Sequence, residues 1–141
     1  MISKVTNGAP PGVAGLHHVR IPVKDWGTSR DWYVMALGFE SFLDIEEEAG
    51  PVGVLLRHRS GVVIGLHCDP VRSAALGGFS ILGLMVRDRS ELETWTAWLD
   101  LANVAHSPIL HGHLGWYVDV PDPDGIIVCL HTPELLDVDD A

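Results

Sequence analysis

The chain has 141 residues and a formal charge of −10, with nine lysines and arginines against nineteen aspartates and glutamates. That balance excludes the basic surface that binding to a nucleic-acid backbone requires, and no stretch reaches the ~18 consecutive apolar residues of a membrane span. With 47% apolar residues, the length suffices for one domain with a real core.

Residues 1–14 are rich in glycine and proline and lack periodicity, so a flexible, loosely packed extension is expected there. They carry one lysine and no apolar h-region, which argues against a secretory signal. Cys68 and Cys129 are the only cysteines, too few for a disulfide framework, so a cytoplasmic setting is expected.

His17 to Val23 alternates as a strand, with Val19, Ile21 and Val23 on one face and His18, Arg20 and Pro22 on the other. Asp25 can cap a helix that Gly38 ends, with Trp32, Tyr33, Ala36 and Leu37 as its apolar stripe. Phe39 to Ile45 reads as a second strand, residues 46–51 as a solvated acidic turn, and Val52 to Arg57 as a third strand. Arg59, Ser60 and Gly61 then turn the chain into a fourth. After a linker at 71–78 the order restarts with a strand from Phe79 to Val86. Ser90 and Glu93 suggest a capping box for the next helix, whose buried side carries Leu92, Trp95, Leu99 and Ala102. Residues 106–111 and 113–120 read as strands, and Pro121-Asp122-Pro123-Asp124-Gly125 is a strong turn. An acidic tail, 135–141, closes the chain.

The last strand of each half is nearly the same sequence. Gly61-Val62-Val63-Ile64-Gly65-Leu66-His67 returns 64 residues later as Gly125-Ile126-Ile127-Val128-Cys129-Leu130-His131. Val23-Lys24-Asp25 and Val86-Arg87-Asp88 match at an offset of 63. Internal repetition of this kind marks a duplicated unit. Each half therefore reads β-α-β-β-β, an α+β class, with module one at 15–70 and module two at 79–134 of a single domain spanning 15–134. A ligand is expected in a cleft between the halves.

Gly15-Leu16-His17-His18-Val19, Asp31-Trp32-Tyr33, Leu37-Gly38-Phe39 and Asp122-Pro123-Asp124-Gly125, taken in order, resemble the vicinal oxygen chelate superfamily of glyoxalases, bleomycin-resistance proteins and extradiol dioxygenases. The resemblance covers roughly 15–134. It implies paired βαβββ modules forming a U-shaped, eight-stranded cleft, and a homodimer, since many relatives complete their clefts across subunits. It also implies where metal-using members place their ligands: on the first and fourth strands of each module. Those positions here are His18, Gly65, Ile81 and Cys129, a depleted donor set.

Strand alternation supplies a separate list of cleft residues. His18 and Arg20, then His67, Met85, Cys129 and His131, fall on the faces away from the helices, and Trp116 joins them as an aromatic pocket candidate. Three readings of the histidines stand: a displaced divalent-metal site of His18, His67 and His131 for zinc, iron or manganese; hydrogen-bonding or acid–base groups for an organic ligand; or structural groups at strand ends. Cys129 with His131 is also a conceivable nucleophile pair, although i and i+2 on a strand stand ~7 Å apart. His17 is expected to be structural, and His58 is a weaker pocket candidate. The expectation is a binding protein for a small organic molecule, with no cofactor favoured and a metal-dependent lyase, isomerase or dioxygenase as the alternative.

Overall fold

A computed structural model of the chain describes residues 8–134; the first half of the extension and the acidic tail at 135–141 lie outside the described residues. Module one runs β1 (Val19–Val23), α1 (Trp26–Leu37), β2 (Glu40–Glu47), β3 (Gly50–Arg57) and β4 (Val63–Cys68). A short helix, α2 (Pro70–Ala75), leads into module two: β5 (Ser80–Met85), α3 (Arg89–Leu101), β6 (Leu110–Gly112), β7 (Gly115–Pro121) and β8 (Ile127–His131). Each module makes one four-stranded sheet, ordered β1-β4-β3-β2 and β5-β8-β7-β6, and no ladder joins the two among the described residues.

The repeated strands take equivalent places. Both β4 and β8 pair in parallel with the first strand of their module and antiparallel with the third. His67 stands beside Pro22, and His131 beside Met85, the residue 63 positions further on. Asp25 and Asp88 are both helix N-caps, accepting from Gly27 and Thr28 amides in α1 and from the Glu91 amide in α3. An aspartate after the first strand satisfies amide donors that the helix itself leaves unpaired. Gly38 closes α1 in the left-handed conformation, φ 82°, which costs a glycine little.

Four expectations need correction. Asp88 caps α3, not Ser90; Ser90 lies inside the helix, and Glu93 pairs with Arg89 instead of reaching back. Residues 106–109 are not strand, because Pro108 has no amide for a ladder, and β6 begins only at Leu110. The acidic turn shrinks to Glu48-Ala49, since β2 and β3 pair out to Glu47 and Gly50. The linker holds α2, which Asp69 caps through the Arg72 amide.

In each sheet one face is buried. Ile21, Val23, Val54, Leu56, Ile64 and Leu66 meet Tyr33, Ala36 and Leu37 of α1; Val118, Val120, Val128 and Leu130 meet Leu92 and Leu99 of α3. These sets form one continuous core across both modules. Polar bonds cross the same boundary. The Tyr33 hydroxyl donates to Asp122 Oδ2 (2.9 Å), while Asp122 Oδ1 accepts from the amides of Asp124 (2.8 Å) and Ile126 (3.0 Å). The Lys24 amide donates to Asp124 Oδ2 (3.2 Å) and the Trp98 indole to the Ala36 carbonyl (3.0 Å).

Replacing Tyr33 with Phe removes one of three donors from a carboxylate that is only 5% exposed. A buried acceptor stripped of its partner costs about 1–3 kcal/mol. The expected result is a fall of that size in urea unfolding free energy, with Tyr33→Phe and Asp122→Ala strongly non-additive in a double-mutant cycle. Additive losses would show that the bond contributes nothing of its own.

Candidate functional site

The face of each sheet opposite the core is where side chains stand free to meet a ligand. On module one it carries His18 and Arg20, both exposed, with Gly65 and His67 of β4 and Leu55 of β3. A Cβ placed on Gly65 would lie 3.2 Å from Leu55 Cδ2 and 3.8 Å from His18 Cδ2, so these three share one small patch. His17 is not set apart from it. β1 starts only at Val19, the alternation does not reach back to His17, and His17 Nδ1 lies 2.8 Å from His18 Nδ1. One of these nitrogens must donate and the other accept.

On module two the open face carries Gly83 and Met85 of β5, Cys129 and His131 of β8, and Tyr117 and Asp119 of β7. The Tyr117 and His131 rings stack, with centroids 5.7 Å apart and planes 9° from parallel. His131 Nδ1 lies 2.8 Å from the Thr132 carbonyl oxygen. A carbonyl only accepts, so Nδ1 carries the proton and the neutral ring offers Nε2 as an acceptor. A hollow of ≈ 230 Å³ opens between Met85, Leu114 and His131.

Trp116 is not on this face. It alternates with Val118 and Val120 toward the helix side, packs on the core, and lies under the Arg89 guanidinium at 4.6 Å. Tyr117 is the aromatic that the open face presents. The same two-residue period across 115–121 carries that signal, since Trp116 shares its parity with the valines and Tyr117 with Asp119. Leu55 and Asp119 were likewise legible by parity and are additions to the sequence-derived set.

The histidine trio is not brought together within one chain. His67 stands beside Pro22, four residues along from His18, which is ~13 Å on a strand. It lies 3.8 Å from Glu47 Oε1, and His131 belongs to the other sheet. Among the described residues no three His, Cys, Asp or Glu side chains could hold one ion. The positions implied by resemblance do not suit a metal either. Gly65 has no side chain, Ile81 has no donor atom, and the Cys129 thiol is pushed up to about 12 by burial, with the neighbouring Asp119 charge and hydrogen bond adding to it. One imidazole and one thiol remain, fewer than the three protein ligands that a zinc site normally has. Cys129 is equally unsuited to nucleophilic attack, because its close polar partner is a carboxylate and not an imidazole.

A model of the Glyoxalase/Bleomycin resistance protein/Dioxygenase superfamily matches residues 15–130. Among solved structures, TnmS3, an antibiotic binding protein from Streptomyces sp. CB03234, is 22% identical and superposes with a TM-score of 0.67 over 86% of this chain and 99% of its own. Lactoylglutathione lyase from Agrobacterium tumefaciens is 18% identical, with a TM-score of 0.70 over 90% and 98%. A variant of the fosfomycin resistance protein FosX from Listeria monocytogenes, complexed with Mn(II) and 1S,2S-dihydroxypropylphosphonic acid, is 14% identical, with a TM-score of 0.72 over 92% and 100%. At these identities the likeness is one of fold. No curated protein matches the sequence significantly.

The thiols make a direct check on the site's electrostatics. Cys68 is exposed and Cys129 buried, and neither is in a disulfide. Thiolate is the reactive form, so Cys129 stays protonated at every pH well below about 12. Iodoacetamide at pH 8 is expected to label Cys68 in the native protein and Cys129 only after unfolding, as read by peptide mass spectrometry. Equal native rates would contradict the buried, carboxylate-facing thiol.

Proposed function

We propose that this chain, which belongs to the Glyoxalase/Bleomycin resistance protein/Dioxygenase superfamily, binds a small organic molecule on its open sheet faces without a catalytic metal. The observation that carries the proposal is the composition of those faces. They present imidazole, phenol, thioether and aliphatic groups beside the Arg20 guanidinium and the Asp119 carboxylate, and the family's metal positions hold a glycine, an isoleucine and a protonated thiol beside one histidine. Such a surface recognises by shape and hydrogen bonding. His131 Nε2 is an acceptor, the Tyr117 hydroxyl a donor or acceptor, and the stacked pair a flat wall for an aromatic ligand.

A homodimer completes the pocket in this reading. Helices cover one face of each sheet, and the opposite faces leave Met85 at 68% exposure and both His18 and Arg20 in solvent. A partner laying its module-two face over this module-one face would enclose a ligand from two sides. Two unpaired thiols suit a reducing compartment, which makes the cytoplasm the proposed setting. No helix among the described residues is long and apolar enough to cross a membrane.

Light scattering at tens of micromolar (order of magnitude) is expected to report a dimer, whose interface should bury at least ~1,000 Å². A melting screen with aromatic antibiotics and metabolites is expected to find a ligand that stabilises by ~2.7 kcal/mol at about 100 times its Kd. Gly65→Trp should abolish that shift by filling the module-one patch. Stoichiometric metal retained through dialysis, and lost in both His67→Ala and His131→Ala, would overturn the reading in favour of a metalloenzyme assembled across subunits.

A further inference from the structure

A further hollow among the described residues lies mostly off the open sheet faces and meets them at Met85. It lies between the modules, with the C-terminal turn of α1 and the β3–β4 hairpin on one side and the end of β5 and the outer flank of α3 on the other. Its volume is ≈ 1220 Å³, above the ~300–1,000 Å³ that drug-sized ligands occupy. We propose that this intermodule cleft is a second ligand site, selective for an organic anion with a flat aromatic body.

The floor is apolar and fixed. Leu37, Val86 and Leu130 line it and belong to the buried core. Trp95 and Trp98 form the α3 wall. Trp98 is 41% exposed, yet its indole N–H donates to the Ala36 carbonyl, which holds the ring in place. The same bond occupies a carbonyl in the last turn of α1, whose partial negative charge would otherwise disfavour an anion nearby. A large aromatic held out to solvent by its polar atom is a ready stacking platform.

Charge at the mouth sets the ligand class. Three arginines line the cleft, Arg57, Arg59 and Arg87, against two glutamates. Arg57 pairs with Glu40 (3.2 Å) and Arg87 with Glu91 (2.6 Å). Arg59 has no carboxylate partner among the described residues. This is notable in a chain where acids outnumber bases nineteen to nine. Beside it, His58 Nδ1 accepts from the Ser60 amide at 3.1 Å, so the neutral ring carries its proton on Nε2. Burial, and then the Arg59 charge, hold His58 below its ordinary value, which keeps it a neutral N–H donor at neutral pH. The mouth thus offers one unpaired guanidinium and one ring N–H at the edge of an aromatic wall. Nothing in that set accepts from a cation in preference to the carboxylates' own partners.

The probes are 8-anilinonaphthalene-1-sulfonate, a flat monoanion, and N-phenyl-1-naphthylamine, its uncharged counterpart. In ¹⁵N spectra of the full chain the anion should shift the Trp95 and Trp98 indole signals saturably and leave Trp26 in place. Arg59→Glu and Arg59→Ala, both at an exposed position, should weaken the anion by about fivefold, the loss of one exposed ion pair, and the neutral probe by less than about twofold. His131→Ala should leave binding of the anion unchanged, which separates this site from the open sheet faces. Three results would overturn the proposal. One is an anion that perturbs Tyr117 and Cys129 but neither indole. Another is Arg59 variants that affect both probes alike. The third is no anion binding, together with a dimer that Arg59→Glu dissociates, since a second copy would then fill the cleft.

Discussion

The bond from Tyr33 to Asp122 ties the duplicated halves into one body. It joins the middle of α1 to the turn between β7 and β8, 89 residues apart in sequence. Asp122 is nearly buried, and burial raises its carboxyl above the ordinary value even though three donors pull it down. The native state therefore holds the Asp122 proton more tightly than the unfolded chain does. The group's contribution to stability declines as pH rises from its unfolded value through its folded one, and is constant above that. Such a group is retained only where its geometry is fully satisfied, and here two amides and a phenol fill its acceptor positions. The phenol gains as well, because burial and then the Asp122 charge hold Tyr33 in its neutral, donating form.

Fixing the halves by their helix sides has a consequence for the sheets. A four-stranded sheet has two faces, and a single helix covers one. With α1 and α3 drawn into a common core, the opposite faces keep their polar and apolar side chains open. The long edge strand β2 is almost entirely exposed, including Phe42 and Leu43, although the bulge at Phe42 and its acidic neighbours discourage indiscriminate pairing. Where the surfaces available for ligand and partner lie thus follows from which faces the core consumes.

Much of this was legible in the sequence because it rests on local rules. The doubled strand gave the duplication, Asp25 gave the start of α1, and period-two alternation gave the two faces of β4 and β8. The misplacements were local too. Trp116 was assigned by its aromatic character against its own parity, and Ser90 was preferred over the aspartate two residues earlier. Pro108 was read through as strand. What the chain could not reveal by itself was any contact between elements far apart in sequence. That Asp122 would accept from Tyr33, and that the Trp98 indole would donate to the Ala36 carbonyl, depend on how the modules dock.

The open faces and the intermodule cleft differ in the kind of ligand each can hold, and the difference comes from protonation. On the module-two face Cys129 keeps its proton beside the Asp119 carboxylate, and the His131 Nδ1–H donates to a backbone carbonyl. That leaves an acceptor and a stacked wall, a surface suited to a neutral donor-bearing ring. At the cleft the balance is reversed, with an N–H donor and a guanidinium in excess of carboxylates. On a chain of net charge −10 a distant anion is repelled overall. A short-range site with its own unpaired cation can offset that, because repulsion from charges beyond a Debye length of about 8–10 Å is largely screened at ordinary ionic strength, while an ion pair at contact distance lies well inside it. Selectivity for an anion in this protein must therefore be local, and at the intermodule cleft Arg59 is the guanidinium without a carboxylate partner among the described residues.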